Sequence, residues 1–339
     1  MGGKAIKGHE TVRLAGDEYF AFQAQTLQTL RRLFPGKRVE AIEAYRSKPD
    51  FGDLDILLES DGYDPFKAAE ALGSVETVRN GPVTSIGIVV PDRPTAGASP
   101  VFQVDLIRME KEAFDYALAY FSFNDLGNLI GRTAHKGGTS HGHDGLWYYF
   151  RDGDYMFREI LLTRDHDAAL TYLGYEPARF KQGFEDLEEI FQYVAGSRYF
   201  NRDIFLLENR NAQSRVRDRK RKTYTEFLKW CEARPNLPAF QYPENKKEWL
   251  PAMREHFPHF GDAYDQAAED LQKARQAKEK FNGEWVTSFT GLSGKELGML
   301  MKNFKERFGS QQDLQAHLLA QSRDVLQAEL LELKSTLGL

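Results

Sequence analysis

The sequence contains a single cysteine, Cys231, among its 339 residues. One cysteine excludes an intramolecular disulfide and a cysteine-rich zinc site, and it is typical of a protein that works in a reducing compartment. No apolar run approaches the roughly 20 residues of a membrane-spanning helix, and the first residues contain no apolar stretch of the kind found in signal peptides. We therefore expect a cytoplasmic protein without membrane contact.

The chain also lacks an excess of positive charge. It carries 45 Lys and Arg against 50 Asp and Glu, for a net charge of −5, so any contact with nucleic acid has to be local. Hydrophobic residues make up 41% of the chain, which is normal for a globular protein with a sizeable core. The length suggests two or three domains of about 150 residues each.

Two aspartates, Asp53 and Asp55, stand one residue apart at the start of an apolar run that follows Gly52. Alternate residues of a strand share a face, so both aspartates point to one side while the residues between and after them point to the core. Asp105 is the only charged residue in a second β-like run, residues 101–107. Neighbouring carboxylates raise one another's pKa unless a cation lies between them.

Oxygen ligands without nearby Cys or His suit Mg²⁺ or Mn²⁺. Three carboxylates that meet on neighbouring strands can bind two such ions and form a phosphoryl-transfer site. We therefore expect Asp53, Asp55 and Asp105 to be catalytic residues and ligands of two divalent ions. The alternative for an isolated D-x-D motif is an acidic pair at a strand edge without a metal, because the motif is short.

The residues before the aspartate pair extend the motif. Residues 44–55, AYRSKPDFGDLD, resemble the palm of polymerase-β-like nucleotidyltransferases (family X DNA polymerases and their relatives). In that family a basic loop leads into G-D-h-D-h, where h is apolar, and a later strand supplies a third carboxylate. The resemblance implies that Arg46 and Lys48 neutralise a bound triphosphate and that Gly52 belongs to the nucleotide-binding loop.

A second segment carries the same resemblance. Tyr120 and Phe121, followed by the spaced Asp125, Asn128 and Arg132, match the nucleotide-binding thumb segment of the family without a gap. The resemblance implies that Tyr120 and Phe121 lie against the nucleotide sugar, which favours a dNTP over an NTP. It also implies that the other three residues contact the base and the minor groove.

The chain departs from the family at two places. Ile42 and Glu43 stand where the family has a Gly-Ser pair that holds the triphosphate, and a glutamate there repels phosphate. Ser122, Phe123 and Asn124 replace the Thr-Gly-Ser that follows Tyr-Phe in the family. The resemblance as a whole covers roughly residues 17–175, about half of the chain.

Basic residues are concentrated in one segment of the C-terminal half, between residues 209 and 222, where Asp218 is the only acid. The seven basic residues are Arg210, Arg215, Arg217, Arg219, Lys220, Arg221 and Lys222. The aromatic residues Tyr224, Phe227 and Trp230 follow. Basic side chains beside aromatic rings suit a phosphate backbone with bases stacking nearby; the alternative is a solvent-exposed helix face whose aromatics are core. We expect this segment to bind a nucleic-acid acceptor.

The residue patterns and the resemblance together predict an α+β fold. It comprises a small mixed β-sheet nucleotidyltransferase palm with helices on one face, a thumb-like α/β subdomain and a helical C-terminal half. The expected parts are a flexible arm at residues 1–15, the palm at 16–110, the thumb-like subdomain at 111–178 and a helical, nucleic-acid-binding region at 179–339. A Pro/Gly/Ala loop is expected at residues 91–99.

The function implied by the resemblance is metal-dependent transfer of a nucleotide from a (d)NTP to the 3′-hydroxyl of DNA or RNA, as in DNA polymerase β. Two alternatives stay open: an acceptor-specific enzyme such as a tRNA nucleotidyltransferase, and a nucleic-acid-binding protein with a degenerate site. Residues 290–298, TGLSGKELG, faintly resemble a helical element in the tail of bacterial tRNA nucleotidyltransferases. The alternative, which we favour, is a helix start with Ser293 and Glu296 in a capping box.

Overall fold

The structure is a computed structural model that describes residues 3–90 and 100–339 of the chain. The loop expected at residues 91–99 lies outside the described residues. By contacts the chain divides into two compact units. The first consists of Met1–Tyr148 and Leu161–Pro258, and the second of Tyr149–Ile160 and His259–Leu339. The boundaries expected near residues 110 and 178 both fall inside the first unit, so the structure does not divide the chain at either of them.

The strands form three sheets in the described part of the chain. They are β1 (Leu14–Ala15), β2 (Val39–Ala41), β3 (Asp50–Phe51), β4 (Asp53–Glu59), β5 (Ser74–Asn80), β6 (Val83–Val89), β7 (Val101–Met109), β8 (Ser140–Gly142), β9 (Gly145–Asp152) and β10 (Tyr155–Thr163). The largest sheet has five strands in the order β2-β4-β7-β6-β5. Its β4 and β7 are parallel, whereas the other neighbours are antiparallel. The fold is therefore mixed α+β with a mixed sheet, as predicted.

Helices occupy most of the remaining chain. They are α1 (Gly16–Leu33), α2 (Pro65–Ala71), α3 (Phe114–Phe121), α4 (Leu126–Lys136), α5 (His166–Tyr172), α6 (Pro177–Lys181), α7 (Leu187–Ala195), α8 (Ala212–Arg219), α9 (Lys222–Glu232), α10 (Leu250–His256), α11 (Phe260–Lys280), α12 (Gly283–Thr290), α13 (Gly294–Glu306), α14 (Gln311–Ala320) and α15 (Arg323–Leu337). Among the residues that the structure describes, no helix has both the length and the apolar character needed to cross a membrane.

The alternation along β4 divides the sheet into two faces. Leu54 and Ile56 are fully buried in a core that includes Leu30 of α1 and Ala68 of α2. Leu57, on the opposite face, packs in a second core with Phe114 and other residues of α3. Helices therefore pack on both faces, which differs from the prediction of helices on one face. Because Asp53 and Asp55 alternate with Leu54 and Ile56, they share the α3 face.

The segment before the palm, expected to be a flexible arm, is bound to the sheet where the structure describes it. Leu14 is buried, and β1 pairs antiparallel with β3. The amide of Val12 donates to the carbonyl of Val101 at 3.0 Å, and the amide of Val101 donates to the carbonyl of Glu10 at 2.9 Å. Residues 10–15 are thus hydrogen-bonded to β3 and to the start of β7.

A sharp turn at residues 122–125 separates α3 from α4. Phe123 and Asn124 both adopt the left-handed conformation, with φ of 60° and 62°. This costs roughly 1–2 kcal/mol at Phe123 and less at Asn124, because asparagine adopts this conformation more readily. The buried ring of Phe123 packs on Phe180 and Phe184, and its amide donates to the carbonyl of Glu43 at 2.7 Å. These contacts stabilise the turn. The sequence does not predict it, because residues 122–125 contain no glycine.

The second unit is a helical bundle with the tip of the β9–β10 hairpin. Its core contains Val286, Leu300, Phe304 and Leu326, and the hairpin joins it through an ion pair of 2.9 Å between Arg158 and Asp270. Ser293 stands at the N-cap of α13, but its side chain makes no capping hydrogen bond. The capping box is therefore not formed, and the resemblance of residues 290–298 stays a prediction.

Candidate metal centre

Asp53, Asp55 and Asp105 come together on one face of the five-stranded sheet. β4 and β7 are adjacent and parallel, with Asp55 directly opposite Asp105 and Asp53 opposite Gln103. One carboxylate oxygen from each aspartate lies within 4.8 Å of those of the other two. Within residues 3–90 and 100–339, this is the only group of His, Cys, Asp and Glu side chains with such spacing.

The electrostatics of the three aspartates favour a bound cation. Burial, and then the charges of Asp53 and Asp105, raise the pKa of Asp55 to about 8. Burial also raises the pKa of Asp105, against the lowering effect of hydrogen bonds from Ser85 and Gln103. Negative charges that destabilise one another in this way are compensated by a divalent ion. The all-oxygen donor set fits Mg²⁺ or Mn²⁺.

Lys48 is the predicted phosphate-binding cation that lies beside the aspartates. Its Nζ is 4.6 Å from the centroid of the Phe51 ring, and that ring stacks on Tyr19 at 3.6 Å. Burial lowers the pKa of Lys48, while the charges of Asp53 and Asp55 act in the opposite direction. The aromatic pair thus holds a lysine at the edge of the acidic group.

Two adjoining clefts open onto Asp53 and Asp55. The first, here called the aromatic cleft, has a volume of about 410 Å³. Its lining includes Tyr19, Phe51, Tyr120, Phe121, Asn124, Asp125, Asn128, His143 and Arg221. The second, here called the basic cleft, has a volume of about 860 Å³. Its lining includes Arg13, Lys48, Gly52, Asp125, Arg217, Lys220, Arg221 and Lys222. Acidic and basic side chains therefore face one shared space.

The thumb-like segment supplies one wall of the aromatic cleft. Tyr120 and Phe121, at the end of α3, line it together with Asp125 and Asn128 at the start of α4. A side chain at Gly127 would bring its Cβ to 2.2 Å from the carbonyl oxygen of Tyr120, so only glycine permits this approach of the two helices. Four of the five predicted thumb residues are therefore gathered at the cleft.

The polar groups of that wall are already engaged by the chain itself. The carboxylate of Asp125 accepts a close ion-pair contact from Arg221. The Oδ1 of Asn128 accepts a long hydrogen bond of 3.4 Å from Nη2 of Arg217, while its Nδ2 is buried and has no partner. The two residues are thus bound on one side by the basic segment.

Two predicted nucleotide-binding residues lie outside both clefts. Arg46 donates to the carbonyl of Gln182 and faces Glu185 at 3.7 Å. Arg132 is 7% exposed, and its Nε and Nη2 donate to the carbonyl of Ile204 at 3.1 and 3.0 Å. In the structure their guanidinium groups bind the loops at residues 182–185 and 204. This position does not support the nucleotide-binding role predicted for them.

The seven basic residues at 210–222 divide into three groups. Arg210 is buried and pairs with the fully buried Asp218 at 2.7 Å, and Arg215 donates to the carbonyl of Arg210 at 3.0 Å, so both anchor α8. Arg219 is exposed and lines neither cleft. The remaining four line the basic cleft: Arg217, Lys220, Arg221 and Lys222. Sequence reasoning therefore located the basic wall but could not separate anchors from cleft residues.

The aromatic residues after the basic segment are part of the core. Tyr224 and Phe227 are fully buried. Trp230 stacks on Phe227 at 6.0 Å, and its Nε1 donates to Glu188 at 2.6 Å. The expectation that they stack on bases is wrong, because their faces are occupied by protein. The alternative interpretation, in which the aromatics belong to the core, describes them.

Gln103 and His143 are site residues that the sequence reasoning missed. The Nε2 of Gln103 donates to both oxygens of Asp105, at 2.9 and 3.0 Å. Its position two residues before Asp105, on the same face of a strand, is a signal that could have found it. His143 stacks on Phe121 at 5.8 Å and lines the aromatic cleft. The glycine-rich sequence around it does not predict this position.

No protein-family model matches this chain, and no match is found among curated proteins. The resemblance to polymerase-β-like nucleotidyltransferases therefore stays a prediction that rests on the quoted motifs.

Proposed function

We propose that this protein is a metal-dependent nucleotidyltransferase, which moves a nucleotide from a (d)NTP to the 3′-hydroxyl of a nucleic acid and releases pyrophosphate. The observation that carries the proposal is that acidic and basic side chains line the same cleft. Asp53 and Asp55 share a cleft with Lys48, Lys220 and Lys222. A centre for divalent cations opposite a wall for phosphates is the arrangement that phosphoryl transfer requires.

The three aspartates would hold two Mg²⁺ or Mn²⁺ ions, which when bound polarise the α-phosphate and lower the pKa of the attacking hydroxyl. Lys48 lies where it can donate to phosphate oxygens beside the aspartates. In the reaction the 3′-hydroxyl loses its proton to solvent and its oxygen forms a bond to the α-phosphorus. The bond from that phosphorus to the bridging oxygen of the β-phosphate breaks, and pyrophosphate leaves. Asp105, on the neighbouring strand, is the carboxylate assigned to orient the 3′-hydroxyl.

The remaining walls fit the other parts of the substrates. The rings of Tyr120 and Phe121 offer an apolar surface to a sugar, and Asn128 has a buried Nδ2 without a partner, which a base acceptor could satisfy. Lys220 is exposed on the basic cleft and would follow the phosphate backbone of the acceptor. In this proposal these side chains position the substrates and compensate their charge, and they form no covalent bond with them.

A second candidate, an acceptor-specific transferase that needs no template, is favoured by one observation. Asp125 is bound by Arg221, Asn128 by Arg217, and Arg132 by the carbonyl of Ile204. These are the side chains that the resemblance assigns to the base and the minor groove. A template strand would have to displace contacts that the chain makes with itself, whereas a tRNA-type enzyme has no such requirement.

The test is a transfer assay with labelled dNTPs and NTPs in Mg²⁺ or Mn²⁺. Single-stranded primer, primer–template and tRNA are supplied as acceptors to the wild type and to Asp55→Ala. We expect incorporation by the wild type alone. Incorporation that ignores the templating base supports the second candidate. Nucleic-acid binding without transfer on any acceptor would reject both enzymes and leave the degenerate binding protein.

A further inference from the structure

Gln103 makes a contact with the acidic group that the proposed function does not use. It lies on β7 two residues before Asp105, is 3% exposed, and donates from Nε2 to Oδ1 and Oδ2 of Asp105 at 2.9 and 3.0 Å. An amide that serves both oxygens fixes the plane of the carboxylate. Together with the hydrogen bond from Ser85, Gln103 therefore sets the direction of the remaining lone pairs of Asp105.

The orientation of the Gln103 amide is in turn set by the N-terminal segment, residues 3–9. The side-chain Oε1 of Gln103 accepts from the backbone amide of Ala5 at 2.9 Å and from that of Ile6 at 3.4 Å. Two backbone donors on one side require the oxygen to face them. The amide nitrogen must then face Asp105, so the assignment of oxygen and nitrogen follows from the hydrogen bonds themselves.

The N-terminal segment is fixed at both ends on the same face of the sheet. Gly3 lies so close to Gly52 that an added Cβ would be 2.7 Å from the Gly52 carbonyl oxygen. Further along, the amides of Lys7 and Gly8 donate to the carboxylate of Glu76 on β5, at 3.1 and 2.9 Å.

Between these ends Ile6 is buried against Gly87 of β6, where an added Cβ would meet its side chain at 3.4 Å. The segment therefore runs from the start of β4 across β7 and β6 to β5. Its central residues donate hydrogen bonds to Gln103.

We propose that Gln103 is a positioning residue for the metal-binding carboxylate of Asp105, and that residues 3–9 hold Gln103 in its working orientation. The proposal rests on the proposed function for the reaction it assists. Its effect on metal affinity is measured independently of that reaction. Residues that orient metal ligands typically change metal affinity or activity about 10- to 100-fold when they are removed.

One neutral substitution of Gln103 separates positioning from simple anchoring. Gln103→Met has a similar length and loses both the donor to Asp105 and the acceptor of the Ala5 and Ile6 amides, without adding a charge beside the aspartates. If Gln103 only anchors the N-terminal segment, Gln103→Met lowers the melting temperature and keeps the wild-type Mn²⁺ affinity. If Gln103 positions Asp105, Gln103→Met lowers the Mn²⁺ affinity.

A pair of variants tests the N-terminal segment without touching the sheet. Ala5→Pro removes the amide that donates to Gln103, and Lys7→Pro removes the amide that donates to Glu76. Both changes delete one backbone-to-side-chain hydrogen bond from the same segment. Only the first of these bonds leads to Asp105, so Lys7→Pro is the matched control.

The primary measurement is Mn²⁺ affinity by titration calorimetry, with Asp105→Ala as the reference for a damaged site. Melting temperatures show which variants are folded, and kcat and KM for the nucleotide are measured on the best acceptor. We expect Gln103→Met and Ala5→Pro to lose about 10- to 100-fold in Mn²⁺ affinity or in kcat. KM for the nucleotide should stay near the wild-type value, and Lys7→Pro should match the wild type.

The outcomes distinguish the two proposals. Unchanged Mn²⁺ affinity and kcat in Gln103→Met would overturn the positioning role, as would equal effects of Ala5→Pro and Lys7→Pro. If a Gln103 variant does not fold, the Ala5→Pro and Lys7→Pro pair decides alone. A wild type that binds Mn²⁺ through Asp105 yet transfers no nucleotide would remove the proposed function, and the affinity data would still test the role of Gln103.

Discussion

Asp55 and Asp105 lie directly opposite each other on parallel strands, although 50 positions separate their numbers in the sequence. The register of β4 and β7 puts the two carboxylates side by side on the face of the sheet that α3 covers. Ser85 of β6 continues the same row on the other side of Asp105. A polar row across three strands next to a cleft is a costly arrangement unless a ligand compensates its charge.

Removal of any one of the three aspartates should abolish nucleotide transfer. Asp53→Ala, Asp55→Ala and Asp105→Ala should each reduce kcat by more than about 100-fold, because even residues that only orient metal ligands cost about 10- to 100-fold. Asp115→Ala is the control, since Asp115 is an exposed acid on α3 that pairs with Arg38, outside both clefts. An Asp55→Ala enzyme that kept half the wild-type rate would show that the metal assignment is wrong.

The metal-free protein should lose stability as the pH rises. The carboxyl group of Asp55 has an ordinary pKa of 3.8 and a pKa of about 8 in the fold. Between these values the native state binds more protons than the unfolded state, so the free energy of unfolding falls with increasing pH. Asp55→Asn mimics the protonated form and should therefore become progressively more stable than the wild type from pH 5 to pH 8.

The measurement is thermal unfolding of both proteins in EDTA across that pH range. Each unit of pKa shift corresponds to about 1.4 kcal/mol, so the difference in melting temperature should reach several degrees. Added Mg²⁺ should stabilise the wild type most at high pH and leave Asp55→Asn less affected. A constant difference between the two proteins at every pH would contradict the raised pKa of Asp55.

Local patterns predicted the elements that depend on local physics. The two-residue period around Asp53 and Asp55 identified β4 and its faces. Asp105 was found because a lone charge in an apolar strand needs an explanation. Each of these inferences uses only neighbours in sequence, which a strand or helix period relates directly.

The parts that failed depend on tertiary contacts. Arg132 and Arg210 are ordinary arginines in sequence, and only the carbonyl of Ile204 and the carboxylate of Asp218 make them structural. The conformation of residues 3–15 is likewise fixed by contacts with the sheet that they cross. The sequence of this segment has no helical or strand period that would have predicted it. No pattern in one sequence specifies such partners in advance. Charge alone therefore could not separate the arginines that anchor α8 from the residues that line the basic cleft.

The basic cleft gives a sharp test of nucleic-acid binding, because two adjacent cations differ in position. Lys220 lines the cleft and Arg219 does not. Lys220→Ala should weaken binding of an oligonucleotide and reduce the slope of log K against log salt by about 0.7–0.9, as expected for one lost phosphate contact. Arg219→Ala should leave the slope unchanged. Equal slopes for both variants in a fluorescence titration would mean that the cleft is not the binding surface.

The turn between α3 and α4 should be sensitive to the shape of an exposed side chain. Asn124 has a φ of 62° and is exposed; a β-branched residue tolerates this conformation poorly. Asn124→Val should lower the free energy of unfolding by about 1–2 kcal/mol. Lys229→Val, at an exposed position of α9, should cost less than about 0.7 kcal/mol. Denaturant unfolding of both variants checks the difference, which vanishes if the left-handed turn is not formed.

The last prediction concerns the sugar of the nucleotide. Tyr120 lines the aromatic cleft, and the close approach of Gly127 fixes its backbone carbonyl. A ring and a carbonyl held in this way leave little room for a 2′-hydroxyl, so kcat/KM should be higher for a dNTP than for the corresponding NTP. A pocket rejects an added hydroxyl by about 10²-fold at most, and Tyr120→Ala should reduce the ratio toward one.

The matched control is Tyr155→Ala, which removes an exposed tyrosine of the second unit. It should leave the ratio of the two kcat/KM values at the wild-type level. The assay compares a dNTP and its NTP on one acceptor with all three proteins. A wild type that prefers the ribonucleotide would argue against a DNA polymerase and, together with the occupied positions of Asp125 and Asn128, would favour the tRNA-type alternative.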